Sequence, residues 1–379
     1  MAIRKRKWKS RGIERSAWVV DYFDQSGKRH IKTFATRKEA DQWSVTARSE
    51  VKQGIHTAGS ASITVAECGK RWLEHCEVEG LEMGTIRSRR QHLDLHINPF
   101  LGGEKLSALT VPRVNKLGTD LRANGRSAAM RRKVLSSLGT MLAFAQGQGL
   151  IAQNVSRGVR LKSDDRRAKG PLREGADFPS KAELRTMIDK ASGRWRPFLL
   201  AAVFTGMRAS ELRGLSWPDV DLDAAIIHVR QRADAWGRIG PPKSKAGKRD
   251  IPLAPIVVNA LRQWREHCPE GELELVFPTG TGNVESLSNI RARFWVPLQL
   301  ACGITTADGR TDGKYSFHML RRAAASLLIA HVSWTPKRVQ AVMGHSSINM
   351  TFDLYGHLFE DHDADREAMK KIEAAVVAA

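Results

Sequence analysis

Apolar positions change their period along the chain. After a basic leader they alternate through Ala17-Trp18-Val19-Val20-Asp21-Tyr22-Phe23, turn at Gln25-Ser26-Gly27-Lys28, and resume through His30-Ile31-Lys32-Thr33-Phe34. Two β-branched and aromatic runs about a glycine predict a hairpin. Thr36 then precedes Ala40, Trp43, Ala47 and Val51 at helical spacing, with Gly54 as a stop, so one helix should pack the small sheet. From Ser62 to about Leu161 the period is helical throughout. Thr64 and Glu67 form a capping box ahead of Val65, Cys68, Trp72 and Cys76 on one face. Thr85 should cap a second helix running to His96 and ended by Asn98-Pro99. A third is expected from about Pro112 to Ala123, and a fourth from Ser127 to Gln146 with Val134, Leu135, Leu138, Met141 and Leu142 buried.

Leu161 to Pro179 is polar and charged, with Gly170-Pro171 inside it, and reads as a linker. Beyond it Ser180 should cap a helix, Arg196 to Thr205 is a buried apolar helix, and Ile226 to Arg230 is a short strand. A basic turn leads into Asp250-Ile251-Pro252-Leu253, and helices return from Pro255. The pattern predicts a multidomain, mainly α protein. Its expected parts are a β-sheet plus helix module (1–58), a four-helix domain (62–161), a linker (162–179), and a mostly helical domain with a small antiparallel sheet (180–379).

Charge changes this picture most. In 379 residues, 61 Lys and Arg stand against 40 Asp and Glu, a formal net charge of +21 that calls for a polyanionic partner. The excess is +8 in residues 1–60, +9 in 61–170 and only +4 in 171–379, so the first two segments suit nucleic-acid backbone contacts. The basic start lacks the apolar stretch of a signal peptide, and the longest apolar run, Phe198 to Phe204, is too short to span a bilayer. A cytoplasmic protein with no membrane partner is expected. Cys68, Cys76, Cys268 and Cys302 form no C-x-x-C pair, which indicates neither a disulfide framework nor a cysteine zinc site. His92 and His96 have metal-ligand spacing but no third ligand and no H-E-x-x-H motif.

Four separated segments of the last domain hold polar residues that packing does not require. They are Thr205-Gly206-Met207-Arg208-Ala209-Ser210-Glu211-Leu212; Pro241-Pro242-Lys243-Ser244-Lys245 before Arg249-Asp250-Ile251-Pro252-Leu253; His318-Met319-Leu320-Arg321-Arg322; and Gly344-His345, followed ten positions on by Tyr355. The second reads as a hairpin tip between strands around Val229 and Ile251. Each alone is weak, but their order and spacing together resemble the tyrosine recombinase (phage integrase) family. The resemblance spans essentially residues 175 to 360. Upstream, His96-Ile97-Asn98-Pro99-Phe100-Leu101-Gly102 is similar to the family's core-binding signature, and Trp18 to Trp43 to the arm-type DNA-binding module of larger integrases.

The resemblance implies that Arg208, Lys243, His318, Arg321 and His345 are the catalytic set and Tyr355 the nucleophile, with Glu211 supporting the first arginine. Lys245, two residues from Lys243, is an alternative for the acting lysine. Two guanidiniums suit the two non-bridging oxygens of a phosphodiester under attack, and a lysine can protonate the leaving 5′ oxygen. His318 is read as the proton acceptor for Tyr355 and His345 as the donor to the phosphate, although the sequence leaves the two roles open to exchange. A covalent phosphotyrosyl link conserves bond energy, so neither cofactor nor metal is expected, and the chain has no G-x-x-x-x-G-K-[ST] loop. The implied partners are duplex DNA attachment sites, a homotetramer on DNA and an accessory DNA-bending or directionality protein. The segment 360–379 carries an apolar stripe of Ile372, Ala375, Val376 and Val377, expected to form a helix that docks in cis or in trans. The rival readings are a DNA-relaxing enzyme of similar chemistry and a non-catalytic DNA-binding relative.

Overall fold

A computed structural model describes residues 1–10, 13–54, 56–159, 172–306, 312–332, 334–356, 366, 369–371 and 374. The chain divides into two compact units, residues 1–168 and 169–379. The apolar C-terminal stripe and most of the expected linker lie outside the described residues.

The first unit opens with a three-stranded antiparallel sheet: β1 (Ala2–Ser10), β2 (Ile13–Phe23) and β3 (Arg29–Phe34), in that order. The leader is therefore a strand, which the alternation argument does not anticipate. Its Arg4, Lys5, Arg6, Lys7 and Lys9 lack apolar alternation, and ladder pairing to β2 from Ala2↔Asp21 to Ser10↔Ile13 holds it instead. Because β3 pairs only with Trp18 to Phe23, the basic ends of β1 and β2 run on as a two-stranded ribbon. Helix α1 (Arg37–Lys52) starts in a capping box of Thr36 and Glu39 and covers one face of the sheet, burying Val20, Tyr22 and Ala40 against Trp18, Phe34 and Trp43. His56 closes this core by bonding Glu50 at 2.8 Å and the Tyr22 hydroxyl at 3.0 Å.

The four-helix part follows as α2 (Val65–Val78), α3 (Met83–His92), α4 (Val111–Ala123) and α5 (Ala128–Gly147), capped by Thr64, Thr110 and Ser127 side chains on the first, third and fourth. Two local expectations change. Helix α3 begins at Met83 behind Glu82, so Thr85 lies inside its first turn. Asn98-Pro99 does not end the helical path. Leu93–Ile97 widens into a turn whose closing N–H, from Asn98, reaches back to the Leu93 carbonyl, and Asn98–Leu101 remains helical. The wider turn accommodates a proline that has no N–H to give and whose ring would crowd an ordinary helical turn. Val65, Trp72, Leu93, Ile97, Leu117, Leu138 and Met141 meet in one core.

The second unit begins with α6 (Lys181–Lys190), capped by Ser180 and Glu183, and α7 (Trp195–Thr205), whose apolar residues are nearly all buried. Short helix α8 (Ala209–Arg213) leads to an antiparallel sheet of order β4 (Val220–Asp221), β5 (Ile226–Val229), β8 (Arg249–Pro252). Between β5 and β8 the chain makes a separate hairpin, β6 (Arg232–Ala233) with β7 (Ile239–Gly240). Lys243 and Lys245 therefore do not sit at the tip of a β5–β8 hairpin; they lie on the return from the β6–β7 hairpin, exposed, just ahead of β8. Helices α9 (Pro255–Arg265), α10 (Met319–Val332), α11 (Pro336–Met343) and α12 (Asn349–Tyr355) complete the parts used below. Among the described residues no helix is long and apolar enough to cross a membrane.

Candidate active site

Two left-handed glycines build the site. Helix α7 ends at Gly206 (φ 61°) and α11 at Gly344 (φ 62°), where an L side chain would be strained. Space forbids a side chain as well. A Cβ on Gly206 would lie 2.9 Å from the Met343 sulfur, and one on Gly344 would lie 2.9 Å from the Ala246 carbonyl oxygen. The two turns thus approach closely, and each offers carbonyls to an arginine from elsewhere in the chain.

Arg208, just after the first turn, donates from Nη2 to the Gly344 carbonyl at 2.9 Å. Arg321, in the first turn of α10, donates from Nη1 to the Gly206 carbonyl at 2.8 Å and from Nη2 to the Met343 carbonyl. Each guanidinium is held by the turn next to the other motif, which fixes both forks in space. Arg208 is also gripped by Glu211, whose Oε1 accepts its Nη1 at 2.7 Å and whose Oε2 accepts its backbone N–H at 2.9 Å. Arg208 remains partly exposed whereas Arg321 is 5% exposed. A planar five-donor fork keeps N–H groups for a ligand after such bonds are made.

A third arginine, Arg249 at the start of β8, completes the cluster and is absent from the set predicted from sequence. It donates to both Glu211 oxygens, at 3.2 and 2.9 Å. Burial pushes the Glu211 carboxyl up, but Arg249 first and then Arg208 bring it below its usual range, so it is ionised. Three guanidiniums around one carboxylate leave a net positive centre. Desolvation, followed by repulsion from Arg208, accordingly pulls Arg321 down to about 9. A centre that disfavours its own cations is poised to take up an anion.

The histidines are tuned in the same direction. His345 is buried, and its Nδ1 lies 2.9 Å from the Thr351 hydroxyl, which leaves Nε2 as the ring's other nitrogen. Burial, then Arg321, Arg208, Arg249 and His318, hold its pKa down to about 4, so it is neutral at pH 7. His318, at the rim immediately before α10, is also held below its usual value by desolvation and by Arg321, Arg322 and Arg208.

The His345 shift carries a stability consequence. The unfolded chain takes up this proton near pH 6.5, whereas the folded chain resists it until about pH 4, so stability falls as pH drops through that window. The loss from this one group is about 3 kcal/mol. His345→Gln is expected to flatten the pH dependence of urea unfolding between pH 6.5 and 4 by about one proton. An unchanged slope would refute this assignment of the acid lability.

Tyr355 closes α12 at 2% exposure, packed with Ala325, Ile329, Val339 and Met343. Burial pushes its phenol up to about 12, against the opposing pull of Arg322 and Arg321. Arg208, His318, Arg321, His345 and Tyr355 thus converge. Lys243 stands apart: it is exposed on the turn ahead of β8, and its charge is not among those named as shifting His318, Arg321, His345 or Tyr355. The arrangement can bind a phosphate through two fixed forks, donate to it from a neutral imidazole, and supply a protonated phenol as nucleophile.

Comparison with known proteins places this geometry. Residues 180–362 match the model of the phage integrase family. The chain is 28% identical over 295 residues to prophage integrase IntR of Escherichia coli, covering 72% of this chain and 66% of that protein. It is 24% identical over 379 residues to the putative prophage phiRv2 integrase of Mycobacterium tuberculosis, covering 97% and 95%. In structure it resembles the Tn1549 transposon integrase bound to circular-intermediate DNA, with a TM-score of 0.67 and 19% identity over 82% of this chain and all of the other. A lambda integrase tetramer bound to a Holliday junction matches with a TM-score of 0.59 and 19% identity over 91% and 92%. The chain carries, across residues 180–362, a phage integrase family domain, the domain of the tyrosine recombinases.

Proposed function

We propose that the protein is a site-specific tyrosine recombinase of integrase type, which cuts and rejoins duplex DNA at attachment sites to integrate or excise a mobile element. The observation that carries this reading is the net positive centre of Arg208, Arg249 and Arg321 beside His345 and Tyr355. Arg208 and Arg321 hold the non-bridging oxygens of the scissile phosphate, and His345 donates to it from Nε2. The Tyr355 oxygen attacks phosphorus as the bond to the 5′ oxygen breaks. The phenol proton passes to His318, and Lys243 protonates the departing 5′ oxygen to give a free 5′ hydroxyl and a 3′-phosphotyrosyl link. Attack by the 5′ hydroxyl of another strand reverses these transfers. Lys245 is the alternative acid on the same exposed turn.

Residues 1–58 are assigned to arm-type DNA, 62–161 to core DNA and 180–379 to catalysis, with residues 162–179 as linker. The cationic ribbon of β1 and β2 and the exposed Arg4, Arg6 and Arg29 on the sheet face opposite α1 support the first assignment. Solved relatives are described as a dimer on a core site and a tetramer on a Holliday junction, and a homotetramer on DNA is the corresponding state here. An accessory bending or directionality protein belongs to the same proposal.

The test uses a library of duplexes with a randomised core and a nick at each position in turn. A nick beside the cleavage point lets the short 5′ fragment diffuse away and traps the covalent complex. The expected result is an adduct that survives denaturation, with the DNA attached to the peptide containing Tyr355. No adduct from any member, with duplex binding intact, would overturn the enzymatic reading in favour of a DNA-binding protein.

A further inference from the structure

Arg249 makes bonds that no catalytic role for Arg208, Arg321 or Tyr355 requires. It is 8% exposed, and its fork bonds to Glu211 in the first motif segment and to carbonyls that flank two others. Both Glu211 oxygens accept from it, its Nη1 donates to the Gly247 carbonyl at 2.9 Å, and its Nε donates to the Val342 carbonyl at 2.5 Å. These acceptors lie respectively beside Arg208, on the lysine turn, and just before Gly344-His345. A Cβ on Gly344 would stand 3.0 Å from Arg249 Nη1, so the glycine also makes room for the side chain.

We propose that Arg249 is a positioning residue of the recombination site, which keeps Glu211 from capturing Arg208 and anchors the lysine turn to the phosphate-binding centre. Glu211 Oε1 is shared between Arg208 at 2.7 Å and Arg249 at 3.2 Å, while Oε2 is occupied by the Arg208 backbone N–H and Arg249 Nη2. With Arg249 removed, a buried carboxylate would lack its principal partner. The nearest remaining cation is Arg208, and a fork turned fully onto Glu211 cannot also hold a phosphate. The Gly247 bond acts on the other side of the site. It ties the backbone four residues after Lys243 to the same fork, so the general acid and the phosphate clamp share one anchor. Lysine at this position could not substitute, because a single ammonium cannot meet both carboxylate oxygens and two divergent carbonyls.

The inference rests on the recombinase reading, and its test separates the two. Single-turnover adduct formation on the nicked duplex selected by the wild-type protein is compared among wild type, Arg249→Lys, Arg249→Gln and Glu211→Gln/Arg249→Gln, alongside duplex affinity and native trypsin cleavage after Lys243, Lys245 and Lys248. Arg249→Lys and Arg249→Gln are expected to slow adduct formation about 100-fold with affinity little changed. The double variant is expected to recover about tenfold of the loss, since its neutral amide no longer captures Arg208. Trypsin should cut the turn about tenfold faster in Arg249→Gln. A double variant no faster than Arg249→Gln would overturn the positioning role, because a merely structural arginine predicts no rescue. If Arg249→Gln does not fold, Arg249→Lys decides, and a rate within about threefold of wild type refutes the proposal. If the wild type forms no adduct, the recombinase reading fails, and turn protection in the variants equal to wild type would overturn the anchoring role independently.

Discussion

Tyr355→Phe is expected to eliminate the covalent protein–DNA adduct while leaving duplex affinity and thermal stability almost unchanged. The ring supplies the packing, since Tyr355 sits among Ala325, Ile329, Val339 and Met343, and phenylalanine fills that space. The hydroxyl is the proposed nucleophile. With its phenol pushed up to about 12, forming the free phenolate at pH 7 costs about 7 kcal/mol. On the proposed mechanism the proton is therefore expected to leave as the bond to phosphorus forms, without a preformed phenolate. That requires a neutral acceptor, and His318 is held below its usual pKa by desolvation and then by Arg321, Arg322 and Arg208. No other side chain replaces the lost nucleophile in the variant. Adduct formation by Tyr355→Phe at even a hundredth of the wild-type rate would place the nucleophile elsewhere.

The sequence made the helical parts and two arginines of the candidate site legible for a shared reason. The capping box at Thr64/Glu67 and the helix starts at Thr36 and Ser180 are local signals, and in the structure all three are capping boxes with both bonds made. Arg208, His318, Arg321, His345 and Tyr355 stand in short motifs whose order the fold preserves while bringing them together. What escaped was held by distant partners. Strand β1 has no apolar alternation of its own and exists through its ladder to β2. The β6–β7 hairpin uses two residues a side, too few to register as periodicity. Arg249 reads in sequence as one more cation in a Lys-rich turn. Its role follows from Glu211, 38 positions away, and from the Val342 carbonyl 93 positions on. The only available signal was an arginine two positions before Ile251, in register with it along the strand, and a solvated residue would give the same signal.

Arg321→Lys should be nearly as damaging as loss of the nucleophile, and for a reason that burial makes specific. The wild-type guanidinium spans the Gly206 and Met343 carbonyls and still presents N–H groups to a phosphate. An ammonium reaches one of these positions at a time. Charge retention is the second difficulty. The site pulls the arginine from 12.5 down to about 9, and a comparable penalty on a lysine would bring it to about 7, leaving it roughly half neutral at physiological pH. Single-turnover adduct formation is expected to fall about 1,000-fold, the scale of losing a fixed donor to a transition-state oxyanion. Duplex affinity should stay within about threefold, because the charge excess of residues 1–170 is expected to carry most of the phosphate contacts. The partial neutrality of the introduced amine gives a signature that simple misplacement would not. Lowering the pH from 8 to 6.5 should restore part of the variant's rate by protonating that amine, whereas the wild type, with Arg321 already charged, should gain nothing. A variant whose rate is independent of pH across that range, or within tenfold of wild type, would mean that the positive centre does not act on the phosphate through this side chain.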